Sequence, residues 1–457
     1  MSRLIVISNR VSAPTGDNQG AQGGLAVALG AALREYRGIW FGWSGKEVKK
    51  FTGAINMERA HGVTVATVDL EKQDIDEYYN GYANRTLWPL FHYRIDLTEY
   101  DRSFGSGYER VNERFAETVA PLIEPDDLVW IHDYHLIPLG RQLRQRGLKN
   151  RIGLFLHIPW PPRHLMVSLP YHQRLVDSML AYDLIGFQNE EWLESFRQYL
   201  TREMDGTIGE DGVAEVGEHK VETRAFPIGI DYKEFMAAAG SDEAHDAYER
   251  LRKSASGRKV IIGVDRLDYS KGLEERFQGY QRFLKRFPKF QEKLFLLQIA
   301  PPSRAKVETY RKIRETLDEL SGRINGEYAE IDWVPIRYVN RGYARAELAG
   351  LYRAAAIGLV TPLRDGMNLV AKEYVAVQNP KDPGVLVLSR FAGAADQLTE
   401  AVMINPYSRD DVADGIKTAL EMPKAERIRR WEKIAQNVEE EDVIAWRHAF
   451  VEALAGQ

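Results

Sequence analysis

The chain has 457 residues, 44% of them hydrophobic, with 61 basic against 66 acidic side chains and a net charge of -5. That length and apolar share predict two ordinary domains with real cores, and the charge balance leaves no broad basic surface for nucleic acid or a membrane. The absence of cysteine excludes disulfides, thiolate catalysis and Cys-ligated metal, and fits a reducing, cytoplasmic compartment. Met1-Ser2-Arg3 runs straight into the apolar Leu4-Ile5-Val6-Ile7, so no signal or transit peptide is expected. No apolar run reaches the roughly 18 residues of a membrane span.

In chain order, short β-rich apolar runs alternate with helical patterns, the signature of parallel sheets with crossover helices. Residues 4–8, 128–132, 152–157, 184–187 and 221–226 read as strands of a first domain. Pro227-Ile228-Gly229-Ile230-Asp231 is a compact break, followed by a charged helical stretch at 244–253. The pattern restarts with strands at 259–264, 294–299, 329–333, 357–361 and 385–388, and a last helix is expected at 439–454. The expected architecture is α/β: two doubly wound, Rossmann-like domains over 1–229 and 230–437, with 438–457 as a C-terminal helix packing back on the first. In open α/β sheets ligands bind beyond the carboxyl ends of the strands, so two such domains predict a cleft lined by strand-end loops.

The polar clusters fall at those strand ends. Ser8-Asn9-Arg10 closes the first strand, and Gly23-Gly24 precede a helix beginning near Ala26, where glycine lets a ligand approach free backbone N–H groups or serves ordinary helix-start geometry. Arg10 reads as an anion ligand or as a surface ion pair. Tyr78-Tyr79-Asn80 and Leu87-Trp88-Pro89-Leu90-Phe91-His92-Tyr93 read mostly as core, with one or two rings able to stack on a sugar. His132 and His135 resemble a metal pair, but strand geometry points their side chains apart. Asp133 is the better candidate to bond a hydroxyl or accept a proton, against the plainer role of a turn carboxylate. His157, ahead of Pro159, is a site histidine or a buried structural one.

In the second domain Asp265-Arg266-Leu267-Asp268-Tyr269-Ser270-Lys271-Gly272 places two cations where they could neutralise a diphosphate or pair with Asp265 and Asp268. Arg304 is a further strand-end cation. Thr361-Pro362-Leu363-Arg364-Asp365-Gly366-Met367-Asn368 leads into the helical Leu369-Val370-Ala371-Lys372-Glu373-Tyr374. That layout gathers backbone N–H groups, a helix N-terminus and a carboxylate, as a phosphorylated sugar ligand requires. Asn368 suits the N-cap, and Glu373 could reach a hydroxyl beyond the phosphates. Neither a P-loop nor a dinucleotide glycine fingerprint is present. Asp74-Ile75-Asp76 follows no clear strand and is discounted as a metal site, so no metal is expected.

These segments, with Trp40-Phe41-Gly42-Trp43-Ser44-Gly45 and Gly322-Arg323-Ile324-Asn325-Gly326, resemble in order the motifs of the trehalose-6-phosphate synthases, retaining GT-B glycosyltransferases of family 20. The resemblance implies transfer of glucose from UDP-glucose, a substrate rather than a cofactor, to glucose 6-phosphate, with a sister synthase using glycerol 3-phosphate or a non-catalytic regulatory subunit as alternatives. It implies an acceptor site of Arg10, Tyr79, Trp88, Asp133 and Arg304. It implies donor contacts from Gly23, Gly24, His157, Arg266, Lys271, Tyr343, Asp365, Gly366, Met367, Asn368, Leu369, Val370, Ala371, Lys372 and Glu373, with Arg266, Lys271, Asp133, His157 and Asp365 closest to the chemistry. The family's favoured route is a metal-independent front-face displacement, in which Arg266 and Lys271 stabilise the leaving diphosphate. A homo-oligomer, dimer or tetramer, is expected. The chain ends at Gln457 before any phosphatase-type module, so a separate phosphatase is expected to act on the product.

Overall fold

The computed structural model describes residues 3–11, 33, 38–60, 63–303 and 308–456, and the chain divides into two compact units. The first ends at Pro227 and takes in the chain again from Trp446; the second is Ile228–Ala445.

The first unit carries ten strands: β1 (Leu4–Arg10), β2 (Ile39–Val48), β3 (Asn56–Ala60), β4 (Val63–Glu71), β5 (Leu128–His132), β6 (Ile152–Phe155), β7 (Leu184–Phe187), β8 (Thr207–Ile208), β9 (Val213–Val216) and β10 (His219–Ala225). They form one sheet in the order β3-β4-β2-β1-β5-β6-β7-β10-β9-β8. From β4 to β10 every pairing is parallel, and β3, β9 and β8 add antiparallel edges. The centre is a near-continuous apolar run: Leu4 to Ile7 on β1 and Val129 to Ile131 on β5 are fully buried, as parallel strands covered on both faces require. Sequence order reverses direction between β1 and β5, which makes their carboxyl ends a topological switch point.

Chain order gave no strand at β2, β3 or β4: β3 and β4 mix apolar residues with Thr and charge, and β2 runs from Ile39-Trp40-Phe41 into the polar stretch Ser44 to Glu47. Ile75–Leu87 is a π-helix of 13 residues, an unusual length for a winding that occurs mostly in single turns. Asp74 at its start is buried between Arg110, 2.9 Å away, and Arg114, while Asp76 accepts from the Asn80 amide at 3.3 Å, so the two carboxylates have separate partners.

The chain's last helix, Val443–Ala455, supplies Trp446 and Phe450 to this unit. Phe450 stacks on Trp130 at 4.6 Å, and glycine at 153 and 186 makes room for it, since a Cβ there would lie 3.0 and 2.8 Å from its ring. The expected helix at 439–454 is in fact two: Lys424–Glu440 ends, and Asp442 restarts the helix by accepting from the N–H of Ile444 and Ala445 at 2.8 and 2.9 Å.

The second unit holds β11 (Lys259–Val264), β12 (Leu294–Ile299), β13 (Ile336–Val339), β14 (Ile357–Val360), β15 (Val385–Ser389) and β16 (Val402–Ile404), all parallel, in the order β13-β12-β11-β14-β15-β16. This is the doubly wound order with its switch point between β11 and β14. The expected strand at 329–333 is a turn closed by a Glu330–Trp333 bridge, and the true strand follows Pro335. Trp333 misled because it is buried and apolar, yet it is held by its own indole, which donates to Leu294 O at 2.7 Å. No helix among the described residues is long and apolar enough to cross a membrane.

Candidate active site

In the second unit, β11 ends in buried Asp265 and exposed Arg266, and the loop after β14 returns beside them. The two loops are tied through Ser270: Leu363 N donates to its carbonyl at 2.7 Å. Gly272 sits at φ 61, where a Cβ would lie 2.2 Å from Thr361 O, so this close approach needs glycine. Asp268 fixes the β11 loop by accepting from the N–H and hydroxyl of Ser270 at 3.0 and 2.9 Å.

Sequence reasoning missed Arg276, the fully buried residue beneath both loops. It pairs with Asp265 at 2.7 Å and donates to Gln298 Oε1 at 2.8 Å and Thr361 Oγ1 at 2.9 Å, locking the ends of β11, β12 and β14 together. Burial raises the Asp265 carboxyl, against the pull of Arg276 and then Lys271.

Over this base Lys271 Nζ donates to Asp365 Oδ2 at 2.6 Å, with both side chains mostly buried, and Asn368 Nδ2 donates to the same oxygen at 3.0 Å. Asn368 lies at φ 76 and caps the helix Leu369–Ala376, its Oδ1 accepting from Ala371 N at 3.2 Å. The N–H groups of Leu369 and Val370, in the first turn, have no acceptor within the helix. Gly366 and Met367 are clasped by the Gly393 loop, where Ala394 N donates to Met367 O at 2.8 Å. Arg266 has no ion-pair partner among the described residues. One loop cluster therefore presents an exposed guanidinium, an ammonium, a carboxylate and free N–H groups.

Further along that helix the predicted residues diverge. Lys372 is buried with its ammonium on Ile228 O at 2.8 Å and Gln397 Oε1 at 2.6 Å, and burial pulls it down to about 7; only its backbone remains for a ligand. Glu373 is partly buried, accepts from Tyr352 OH at 3.4 Å, and is pushed up to about 7 by burial. Tyr343 lies on the loop after β13, with Arg341 over its ring at 4.8 Å.

In the first unit, Ser8 and Asn9 at the end of β1 accept from Trp40 Nε1 and Tyr78 OH, each at 2.8 Å. Exposed Arg10 lies over Trp43 at 5.7 Å. Tyr79 packs edge-on to Trp43 at 5.7 Å and stacks on His135 at 5.9 Å, so Arg10 and Tyr79 flank one indole. Trp88 is 5% exposed and packs on His92 and Tyr134, which makes it chiefly a core ring. Asp133, at φ 75, binds the neighbouring strand end through Phe155 O at 2.7 Å and accepts from His157 N at 3.2 Å. His157 also meets His132 at 3.0 Å, ring nitrogen to ring nitrogen, a pairing hidden in sequence by 25 residues of separation. Burial pushes His157 down to about 3, and burial, with His157 as a second cause, also holds His132 well below its ordinary value, so both imidazoles are neutral. Gly23, Gly24 and Arg304 lie outside the described residues.

Two doubly wound units, one offering paired cations, a carboxylate and a capped helix start at its switch point, define a GT-B glycosyltransferase. The particular family follows from likeness to known proteins: the model of glycosyltransferase family 20 matches residues 3–456, and the chain belongs to that family. It is 46% identical over 456 residues to the trehalose-6-phosphate synthase of Sinorhizobium fredii, covering 99% of this chain and 98% of that one. It superimposes with a TM-score of 0.95 on a trehalose-phosphate synthase of Burkholderia xenovorans in complex with glucose-6-phosphate, at 45% identity over 99% of this chain and 100% of the other. The E. coli protein bound with UDP-2-fluoro glucose gives a TM-score of 0.95 at 43% identity, over 99% of each chain.

Proposed function

We propose that this chain transfers glucose from UDP-glucose to glucose 6-phosphate with retention, giving trehalose 6-phosphate and UDP. The observation that carries the reading is the Lys271–Asp365–Asn368 cluster at the start of the helix Leu369–Ala376, in a chain similar end to end to proteins that act on these substrates. Arg266, Lys271 and the N–H groups of Leu369 and Val370 take the diphosphate, as a guanidinium, a point charge and helix-end donors suit phosphate oxygens. Asp365 and the backbone of Gly366 and Met367 bond the donor glucose, and Glu373 bonds the ribose. Arg10, Tyr79, Trp88 and Arg304 hold the acceptor phosphate, and Asp133 bonds an acceptor hydroxyl.

In the transfer the anomeric carbon–oxygen bond to the diphosphate breaks while the acceptor oxygen bonds to that carbon on the same face. The acceptor proton passes to the departing diphosphate oxygen. Arg266 and Lys271 stabilise the charge that develops on the leaving group. His157 lies beside the donor glucose as a neutral imidazole and sets no positive charge against the oxocarbenium-like state. With both cations supplied by the protein, the reaction proceeds without a metal ion, and the cysteine-free composition suits action in the cytoplasm.

The test is UDP release from UDP-glucose in the presence of EDTA, with glucose 6-phosphate, glycerol 3-phosphate or no acceptor. Release with glucose 6-phosphate alone is expected. Release with glycerol 3-phosphate in its place would assign a different acceptor, and release restored only by added magnesium would end the metal-free reading.

A further inference from the structure

Apart from the switch-point loops, the first unit holds a cavity of about 950 Å³. It is walled by the π-helix Ile75–Leu87, the start of the helix Arg102–Val119 and the turn into the helix His172–Met179. Tyr82, Tyr100 and Tyr171 line it with Ser106, Glu109 and Arg174.

The state of these side chains is unlike ordinary packing. Tyr171 is 74% exposed, with its backbone at φ 60, a region bulky residues rarely occupy without cause. Tyr100 is 43% exposed, its hydroxyl 3.3 Å from Ser168 Oγ. Tyr82 is largely buried, packed on Tyr108 at 4.5 Å between centroids, yet its hydroxyl has no hydrogen-bond partner among the described residues. Burial, then Glu109 and Tyr100, raise that phenol, so it stays a donor. Glu109 and Arg174 pair at 3.4 Å, linking the helix Arg102–Val119 to the helix His172–Met179.

Aromatic planes beside a donor, a carboxylate and a guanidinium match a sugar, which has apolar C–H faces and hydroxyls that both donate and accept. A purely apolar ligand would strand Tyr82 OH, Glu109 and Arg174 away from water. The two carboxylates Asp101 and Glu109 are matched by Arg102 and Arg174, so the lining carries no net charge to select an ion of either sign. We propose that this cavity binds a small neutral saccharide, of one or two hexose units, at a site separate from the switch-point loops. Occupancy has a route to the end of β1: Tyr82 packs on Tyr108, Tyr108 on Tyr78 at 6.0 Å, and Tyr78 OH donates to Asn9.

Saturation-transfer-difference NMR on the full chain, titrating glucose, trehalose and maltose with UDP and glucose 6-phosphate present in excess, tests the site. Saturable binding that these two do not displace is expected, weakened at least tenfold in both Tyr171→Ala and Tyr82→Phe. The first changes an exposed ring and the second removes one oxygen, so melting temperature and UDP release without added saccharide should match the parent. No saturable binding by any of the three sugars, or binding by both variants as tight as the parent's, overturns the proposal. Sedimentation that shows self-association abolished by Tyr171→Ala and unmoved by saccharide also overturns it, and makes this face a contact between copies.

Discussion

Replacing Lys271 with Met removes the ammonium that lies 2.6 Å from Asp365 Oδ2, in a pair whose side chains are only 12% and 13% exposed. In so sheltered a position, two unit charges about 4 Å apart interact by about 4 kcal/mol at an effective dielectric of about 20. Loss of a single preorganised donor to developing charge costs about 2.7–4 kcal/mol in comparable sites. We expect kcat/KM for UDP-glucose to fall about 10²–10³-fold. Asp365 would keep the amide of Asn368, 3.0 Å away, but its charge would then oppose the diphosphate, which places Lys271→Met toward the larger figure. Lys271→Arg keeps the charge in a different shape and should recover part of the loss. The assay is the initial rate of UDP release at saturating glucose 6-phosphate, with thermal melts to confirm folding. A Met variant within tenfold of the parent, or an Arg variant no better than Met, would refute a charge-stabilising role.

Two further changes probe each unit. Gly45, at φ 88, lies where a Cβ would come 2.5 Å from Arg10 Nη2, so Gly45→Ala should displace the guanidinium and raise KM for glucose 6-phosphate about tenfold, about 1.4 kcal/mol. KM for UDP-glucose should hold, and steady-state kinetics with an unchanged acceptor KM would remove Arg10 from the acceptor site. Burial raises the Glu373 carboxyl from 4.5 to about 7, so the fold holds this proton more tightly than the unfolded chain. Its stabilising contribution is full below about pH 4.5 and is lost as pH rises through 7. Because the side chain is only partly buried, the effect should be of the order of 1 kcal/mol. Glu373→Gln should therefore gain melting temperature relative to the parent between pH 5 and pH 8, and a difference independent of pH would contradict the shifted carboxyl.

The legible parts of this molecule were those where one residue type and one position coincide. β5 and β11 are unbroken apolar runs that end in charge, so strand, covered sheet and strand-end polar group could be read together. Lys271, Asp365 and Asn368 were legible for that reason, each lying in a loop just after such a run. β4 was not, because Thr64, Thr67 and Asp69 interrupt its apolar pattern. Arg276 was invisible: it lies between Leu273 and Phe277 on an apolar helix face, and its partners Asp265, Gln298 and Thr361 come from three strand ends. The His132–His157 contact depends on the register of β5 with β6, which no local pattern encodes. Lys372 was expected among the donor contacts on the resemblance alone, but the 3.6-residue turn carries its side chain to Ile228 and Gln397.

The return of Trp446 and Phe450 to the first unit has a consequence for how the chain is made. Ile228–Ala445 is continuous, so everything it packs is synthesised before Trp446 and Phe450 appear. The sheet begun by Leu4 must wait for Trp446 and Phe450, which follow the whole second unit in chain order, with Trp130, Phe155 and the bare backbone of Gly153 and Gly186 uncovered in the meantime. The unit started first is thus completed last. A chain cut after Ala445 would carry the whole second unit attached to an open first one, the form a chaperone or protease would meet.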